Sequence, residues 1–152
     1  MSETLFATDV TPFDLQLPYL FWKDFAYEGE VRFRGRPTNV FLLFPPETEA
    51  GLYPEITGVR LYLDSQFNAM MQAEILDQEL EVGKKISLLK IKKIDGQWMA
   101  ESIDIRMPDG LKTRFSVESA SMSCAWDPSL FKPERLTQDL PRLEESRLTV
   151  VR

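Results

Sequence analysis

The chain has 152 residues, 43% hydrophobic and 28% charged, which suits one soluble domain with a real core. Lys and Arg total 18 against 24 Asp and Glu, and the net charge of −6 argues against a surface that tracks nucleic-acid phosphates. The absence of His removes Ser-His and Cys-His nucleophilic pairs, His metal ligands and the usual near-neutral proton shuttle, and the single Cys124 excludes an internal disulfide.

No stretch approaches the roughly 20 apolar residues of a membrane span. The N-terminus MSETLFATDV has no basic region followed by an apolar run, so no signal peptide is expected. Taken literally, the chain is cytoplasmic.

Thr11-Pro12-Phe13-Asp14 has the form of a helix start. Thr caps, Pro suits the first turn, and Asp in that turn favours the positive end of the helix dipole. Pro18 limits this helix to a turn or two, unless it begins a second one. Leu15, Leu17, Leu20, Phe21 and Trp22 are the expected anchors of this segment on a sheet.

Strands follow. Phe25 to Arg34 alternates Phe25, Tyr27, Val31 and Phe33 against Glu28, Glu30, Arg32 and Arg34, and Arg34-Gly35-Arg36-Pro37 turns the chain. Thr38 to Phe44 is nearly all apolar. Pro45 to Pro54 is expected to be a loop. Gly58 to Asp64 sets Val59, Leu61 and Leu63 against Arg60, Tyr62 and Asp64. Ala69 to Leu76 sets Met71, Ala73 and Ile75 against Met70, Gln72, Glu74 and Leu76. Lys84 to Ile94 and Trp98 to Met107 flank Asp95-Gly96, a strong hairpin signal because the turn needs positive φ. Pro108-Asp109-Gly110 makes the next turn, and Leu111 to Ser121 closes the ladder.

Asp127 to Leu136 has the pattern of a short helix with Leu130, Phe131 and Leu136 as contacts. The domain is expected to end at residue 136, with 137–152 as a tail or, through Leu148 to Val151, an added edge strand. The expected fold is mainly β: an antiparallel meander of about seven strands curled into a half barrel, with one or two short helices. At roughly 4.8 Å per strand the sheet is about 34 Å wide. Two short helices cannot cover it, so an apolar concave surface should remain.

Little chemistry stands out. Asp9, Asp14, Asp95, Asp104 and Asp109 offer carboxylates, but turn geometry explains Asp95 and Asp109 and an outward strand position explains Asp104. Lys84, Lys85, Lys90, Lys92 and Lys93 form a basic cluster that could meet phosphate headgroups and otherwise is a solvated face. Met70, Met71, Met99 and Met107 suggest an adaptable apolar surface. There is no Gly-rich phosphate loop, Cys cluster or nucleophile motif, so no catalytic residue, metal or cofactor is assigned.

Several segments carry a resemblance. Phe6-Ala7-Thr8-Asp9-Val10-Thr11-Pro12-Phe13-Asp14-Leu15 is similar to a "GTD-S-x-x-DL" segment, with Ala7 where Gly is usual. Tyr27-Glu28-Gly29-Glu30, Gly35-Arg36 and Phe44-Pro45 are similar to the hairpin that follows it. Val59 to Asp64 is similar to a strand ending in Asp. Lys93 to Trp98, Met107, Lys112-Thr113 and finally Phe131 to Leu136 resemble the closing elements. In this order, over residues 6–136, the set resembles the outer-membrane lipoprotein-sorting proteins, related in fold to the periplasmic lipoprotein carriers of the LolA/LolB type. The resemblance implies the C-terminal half of an incomplete barrel, a periplasmic setting, and a lipid or lipidated protein as partner. It also implies a signal peptide and an N-terminal half that this chain lacks. The missing half predicts an exposed edge strand and a possible homodimer through it.

A carrier that releases its cargo should shield acyl chains only partly, since about 0.8 kcal/mol per buried CH₂ soon exceeds reversible affinity. The candidate trough residues are Leu61, Leu63, Met71, Ile75, Ile103, Ile105, Phe115 and Val117. They line a trough or form plain core under the helices; alternation does not separate the two. The expected function is a non-enzymatic lipid- or lipoprotein-binding carrier domain. The alternative is a protein-interaction or envelope-sensor module without lipid cargo.

Overall fold

A computed structural model of the chain describes residues 8, 10–123, 125, 127–135, 137–139 and 145–151. Asp9, Cys124 and Leu136, singled out from the sequence, lie outside these, as do Phe6 and Ala7. Seven strands form one sheet in chain order: β1 (Asp24–Phe33), β2 (Arg36–Phe44), β3 (Gly58–Asp64), β4 (Met70–Leu76), β5 (Val82–Ile94), β6 (Gln97–Arg106) and β7 (Lys112–Ser116). The sheet is an antiparallel meander with β1 and β7 at its edges, not a closed barrel. Arg34-Gly35 (φ 49° and 80°) and Asp95-Gly96 (φ 48° and 83°) both place two successive residues at positive φ, the twist-matched hairpin geometry.

The chain divides into two units. The first holds residues 1–89 and 102–115, and the second holds 90–101 and 116–152. Strands β5 and β6 contribute to both.

In the first unit one sheet face is apolar. Leu43, Val59, Leu61, Ala73, Ile75, Ile86 and Ile105 are buried there in one cluster with Val10, Phe13, Tyr19 and Trp22. The last four come from the N-terminal segment, built of α1 (Pro12–Gln16) and a 3-10 turn, Pro18–Phe21. Between the two, Leu17 adopts φ 49° and hands the chain from one helix type to the other. This switch rotates the segment. Leu17 and Trp22 therefore pack into the core as expected, whereas Leu15, Leu20 and Phe21 are exposed, and Phe13 and Tyr19 take their place. Residues 45–54 are not all loop: α2 (Glu47–Ala50) forms there, and its Glu49 accepts a 2.9 Å hydrogen bond from Trp22 Nε1.

The opposite face of this unit is polar and internally paired. Glu74 is buried, yet accepts from Tyr62 Oη (3.2 Å), Gln72 Nε2 (3.0 Å) and Lys85 Nζ (3.1 Å). Arg60 joins it to Glu28, with Nε to the Glu28 carboxylate at 2.7 Å. The outward Asp104 is buried too, because Arg114 of β7 lies over it, donating from Nε (2.5 Å) and Nη2 (2.9 Å). The Arg114 guanidinium holds the Asp104 carboxyl below its ordinary value of 3.8. A folded-state value below the unfolded one stabilises above pH 3.8 and is lost as the pH falls beneath it. Arg114→Ala should therefore lower Tm at neutral pH, and the gap from the parent should close in acid below about pH 3. Calorimetry across that range checks this; a gap independent of pH would assign the loss to packing.

At its outer edge β1 pairs, among the described residues, only with β2, and a bulge between Tyr27 and Gly29 interrupts its register. Bulges twist an edge away from further pairing. In the second unit, β8 (Ser119–Ala120) pairs with β9 (Thr149–Val150), so the last expected strand breaks at Val117-Glu118. The helix expected over 127–136 is instead two 3-10 turns, Pro128–Phe131 and Pro133–Arg135. Pro133 lacks the N–H that a continuing helix would need.

Candidate functional site

Six of the eight candidate trough residues come together. Leu61, Ile75 and Ile105 are buried in the apolar cluster, and Leu63, Ile103 and Phe115 pack against it half-buried. Met71 and Val117 do not join them. A bulge pairs Tyr62 with Gln72 but Leu63 with Met70, leaving Met71 as the extra residue. Met70 therefore takes the core position, and the Met71 sulfur lies 3.6 Å from Thr38 Oγ1. Val117 lies past the end of β7, in the second unit, where its N–H donates to the Glu101 carbonyl at 2.9 Å.

Most of the apolar face is covered by the chain's own N-terminal segment. Phe13 is the hub, 5.8 Å from the Tyr19 ring, 6.3 Å from Trp22 and 4.7 Å edge-on to Tyr53. Where that cover ends, a cleft of about 310 Å³ opens. Phe13, Tyr53, Ile56, Ile75, Leu76 and Met107 supply its apolar wall. Thr11, Asp14, Glu55, Asp77 and Lys84 supply its polar lining.

The polar part is anchored at α1. Asp14 Oδ2 accepts from Thr11 N (2.7 Å), Thr11 Oγ1 (2.9 Å) and Lys84 Nζ (2.6 Å). The carboxylate thus caps its own helix and ties it to β5. Its buried charge also helps push the Tyr19 hydroxyl above its ordinary pKa, after the larger effect of burial. Among the described residues the Tyr19 Oη meets only the Met70 sulfur, at 3.9 Å.

The basic cluster read from the sequence is dispersed. Lys84 binds Asp14, Lys85 binds Glu74 at 3.1 Å, Lys90 binds Glu101 at 3.5 Å, and Lys92 binds the Val150 and Val151 carbonyls. The acidic candidates are likewise used within the chain. Asp95 accepts from Met122 N and Ser123, and Asp109 from Leu111 N at 3.0 Å. Among the described residues no group of three or more His, Cys, Asp or Glu is placed to hold a metal ion. No described helix is long and apolar enough to cross a membrane. The Asp14–Lys84 pair and the Phe13–Tyr53 contact had no signal in the sequence beyond the residue types, because 70 and 40 residues separate the partners.

A cleft of this size is at the lower end of small-molecule sites. Its apolar wall suits a short aliphatic segment, and its rim offers one ammonium and several carboxylates to a polar head.

No protein-family model matches the chain, and no curated protein matches it in sequence. Two solved structures share its fold. One is a DUF1329 family protein from Desulfovibrio piger, with a TM-score of 0.66 and 16% identity over 90% of this chain and 58% of that one. The other is an outer membrane lipoprotein-sorting protein domain from Vibrio parahaemolyticus, with a TM-score of 0.51 and 16% identity over 59% of this chain and 37% of that one. The chain spans less than two thirds of either neighbour.

Proposed function

We propose that the chain is a non-enzymatic binding domain of the cell envelope that shields the acyl part of a lipid or lipidated protein. The observation that carries this is the cleft, whose Phe13 and Ile75 walls belong to the same cluster as the apolar sheet face. The likeness of fold to a lipoprotein-sorting domain supports the periplasmic side of the reading. Covered by Phe13, Tyr19 and Trp22, the face offers a ligand this cleft rather than a wide trough for several chains. About eight methylenes buried there gain roughly 6 kcal/mol gross, so the Kd is no tighter than tens of micromolar once the cost of association is included. Such affinity permits both capture and release.

A fluorescent octanoyl probe titrated against the full chain tests this by anisotropy. Saturable binding with a Kd of roughly tens to hundreds of micromolar is expected, and Met107→Trp, which fills the cleft from its half-buried edge, should weaken it about tenfold. Absence of saturable binding, or binding indifferent to Met107→Trp, would sink the proposal.

One observation favours the second reading, a protein-interaction module. Phe25 and Tyr27 of the edge strand are more than half exposed and flank Phe41 at 5.7 and 5.2 Å. The bulge after Tyr27 confines any strand addition to the Asp24–Tyr27 half of β1. If that half joins two copies, sedimentation equilibrium will show a dimer that Tyr27→Lys dissociates.

A further inference from the structure

The end of the β5–β6 hairpin, within the second unit, has two unlike faces. The two-residue Asp95-Gly96 turn sets Lys93 opposite Trp98 and Ile91 opposite Ala100. The Lys90–Glu101 ion pair at 3.5 Å fits the same register. Alternation then puts Lys92, Ile94 and Met99 on one face. That face is engaged: Ile94 is buried, and Lys92 Nζ donates to the Val150 and Val151 carbonyls of the terminal strand region. The other face carries Ile91, Lys93 and Trp98, and is open. Trp98 is 66% exposed and Ile91 48%.

The charges around this face are unlike those of the chain as a whole. Residues 90–101 hold three Lys against Asp95 and Glu101, a net of +1, in a chain of net −6. Both carboxylates are already committed. Glu101 faces Lys90, and Asp95 Oδ2 accepts from Met122 N (2.9 Å), Ser123 N (3.3 Å) and Ser123 Oγ (3.1 Å). The Lys93 ammonium has no hydrogen-bond or ion-pair partner among the described residues, and in this register Lys93 is the cross-strand neighbour of the exposed indole.

We infer that this hairpin face docks on an anionic lipid surface, with Trp98 and Ile91 at the headgroup boundary and Lys93 against lipid phosphate. An indole has an apolar body and one N–H, and therefore favours the membrane–water boundary. An uncommitted ammonium beside it gains from a negative surface within a Debye length. Neither residue is needed to close the core. The strand face is rigidly presented, because its reverse side is tied to the terminal strand. Docking here requires no ligand in the cleft and would bring the cleft's owner to the membrane that supplies or receives its cargo.

The full chain is sedimented with sucrose-loaded phosphatidylcholine vesicles, with or without about a third phosphatidylglycerol, in low and high salt. Binding to the anionic vesicles is expected, and much less to the neutral ones. Trp98→Ala should weaken it about tenfold or more, whereas Trp98→Tyr, which keeps an interfacial ring, retains most of it. Lys93→Ala should weaken it about fivefold, an effect that high salt removes. Far-UV circular dichroism checks that the three exposed-site variants remain folded. No sedimentation of the parent with anionic vesicles, or equal sedimentation of parent and Trp98→Ala, overturns the inference. Octanoyl-probe binding is measured on the same variants and should be unchanged, so failure of docking and failure of the cleft reading are told apart.

Discussion

Asp14→Ala is expected to destabilise the chain by about 3 kcal/mol, read as a lower urea midpoint with an unchanged m-value. Asp14 is 4% exposed, and its carboxylate accepts three hydrogen bonds through one oxygen. Its loss removes a helix cap, worth about 1 kcal/mol by itself. It also leaves the Lys84 ammonium, whose side chain is 13% exposed, without the carboxylate it faces. Removing one member of a buried ion pair is the costly part, since the other loses the opposite charge that offset much of its desolvation. Replacing both partners should cost less than replacing one. The double variant Asp14→Ala, Lys84→Met is therefore expected to recover part of the loss, and a double-mutant cycle with Asp14→Ala and Lys84→Met measures how much. Additive effects of the two single changes would show that the pair is not coupled and that the helix cap alone matters.

The fold was legible because its turns are written in residue types with few alternatives. Arg34-Gly35 and Asp95-Gly96 both take the positive φ values that make a tight hairpin, and the strands follow from alternation between them. What alternation could not see was an inserted residue. The bulge at Met71 moves Met70 to the core face, and a strict period of two assigns these neighbours the wrong way round. The break at Val117 is similar: an apolar residue continues the pattern after the strand has ended.

The site was harder to read for a different reason. Leu61, Ile75 and Ile105 were placed on one face by pattern alone, but pattern does not say what lies over that face. The cover depends on Leu17 turning left-handed between two helix types, which presents Phe13 and Tyr19 rather than Leu15 and Phe21. A leucine has no local preference for that conformation. Pro18 disfavours αR at the residue before it and so ends α1 there, and packing of Phe13, Tyr19 and Trp22 is what holds the left-handed turn. The cleft exists where that cover stops, beside Tyr53, so it could not be drawn from strands alone.

The largest effect is expected at Tyr19, and the contrast between two substitutions carries the argument. Tyr19 is fully buried, with its ring 5.8 Å from Phe13 and 6.4 Å from Trp22. Tyr19→Ala should cost about 4 kcal/mol, the transfer term plus the cavity left between the segment and the sheet. Tyr19→Phe should cost less than about 1 kcal/mol, because among the described residues the hydroxyl has only the Met70 sulfur at 3.9 Å as acceptor. The two variants also differ in alkali. Burial, helped by Asp14, raises the Tyr19 pKa above its ordinary 10.0, so the neutral phenol is what the fold accepts. The sign follows: the contribution is intact below pH 10 and is lost progressively as the pH rises above it, when the unfolded chain ionises first. Tyr19→Phe should therefore gain on the parent in stability above pH 10, and Tyr19→Ala should unfold at low urea at every pH. Urea titrations at pH 7 and above pH 10 decide it. If Tyr19→Phe loses as much as Tyr19→Ala, the hydroxyl has a stronger partner than the sulfur; if Tyr19→Ala is harmless, the segment from Val10 to Trp22 does not hold the apolar face closed.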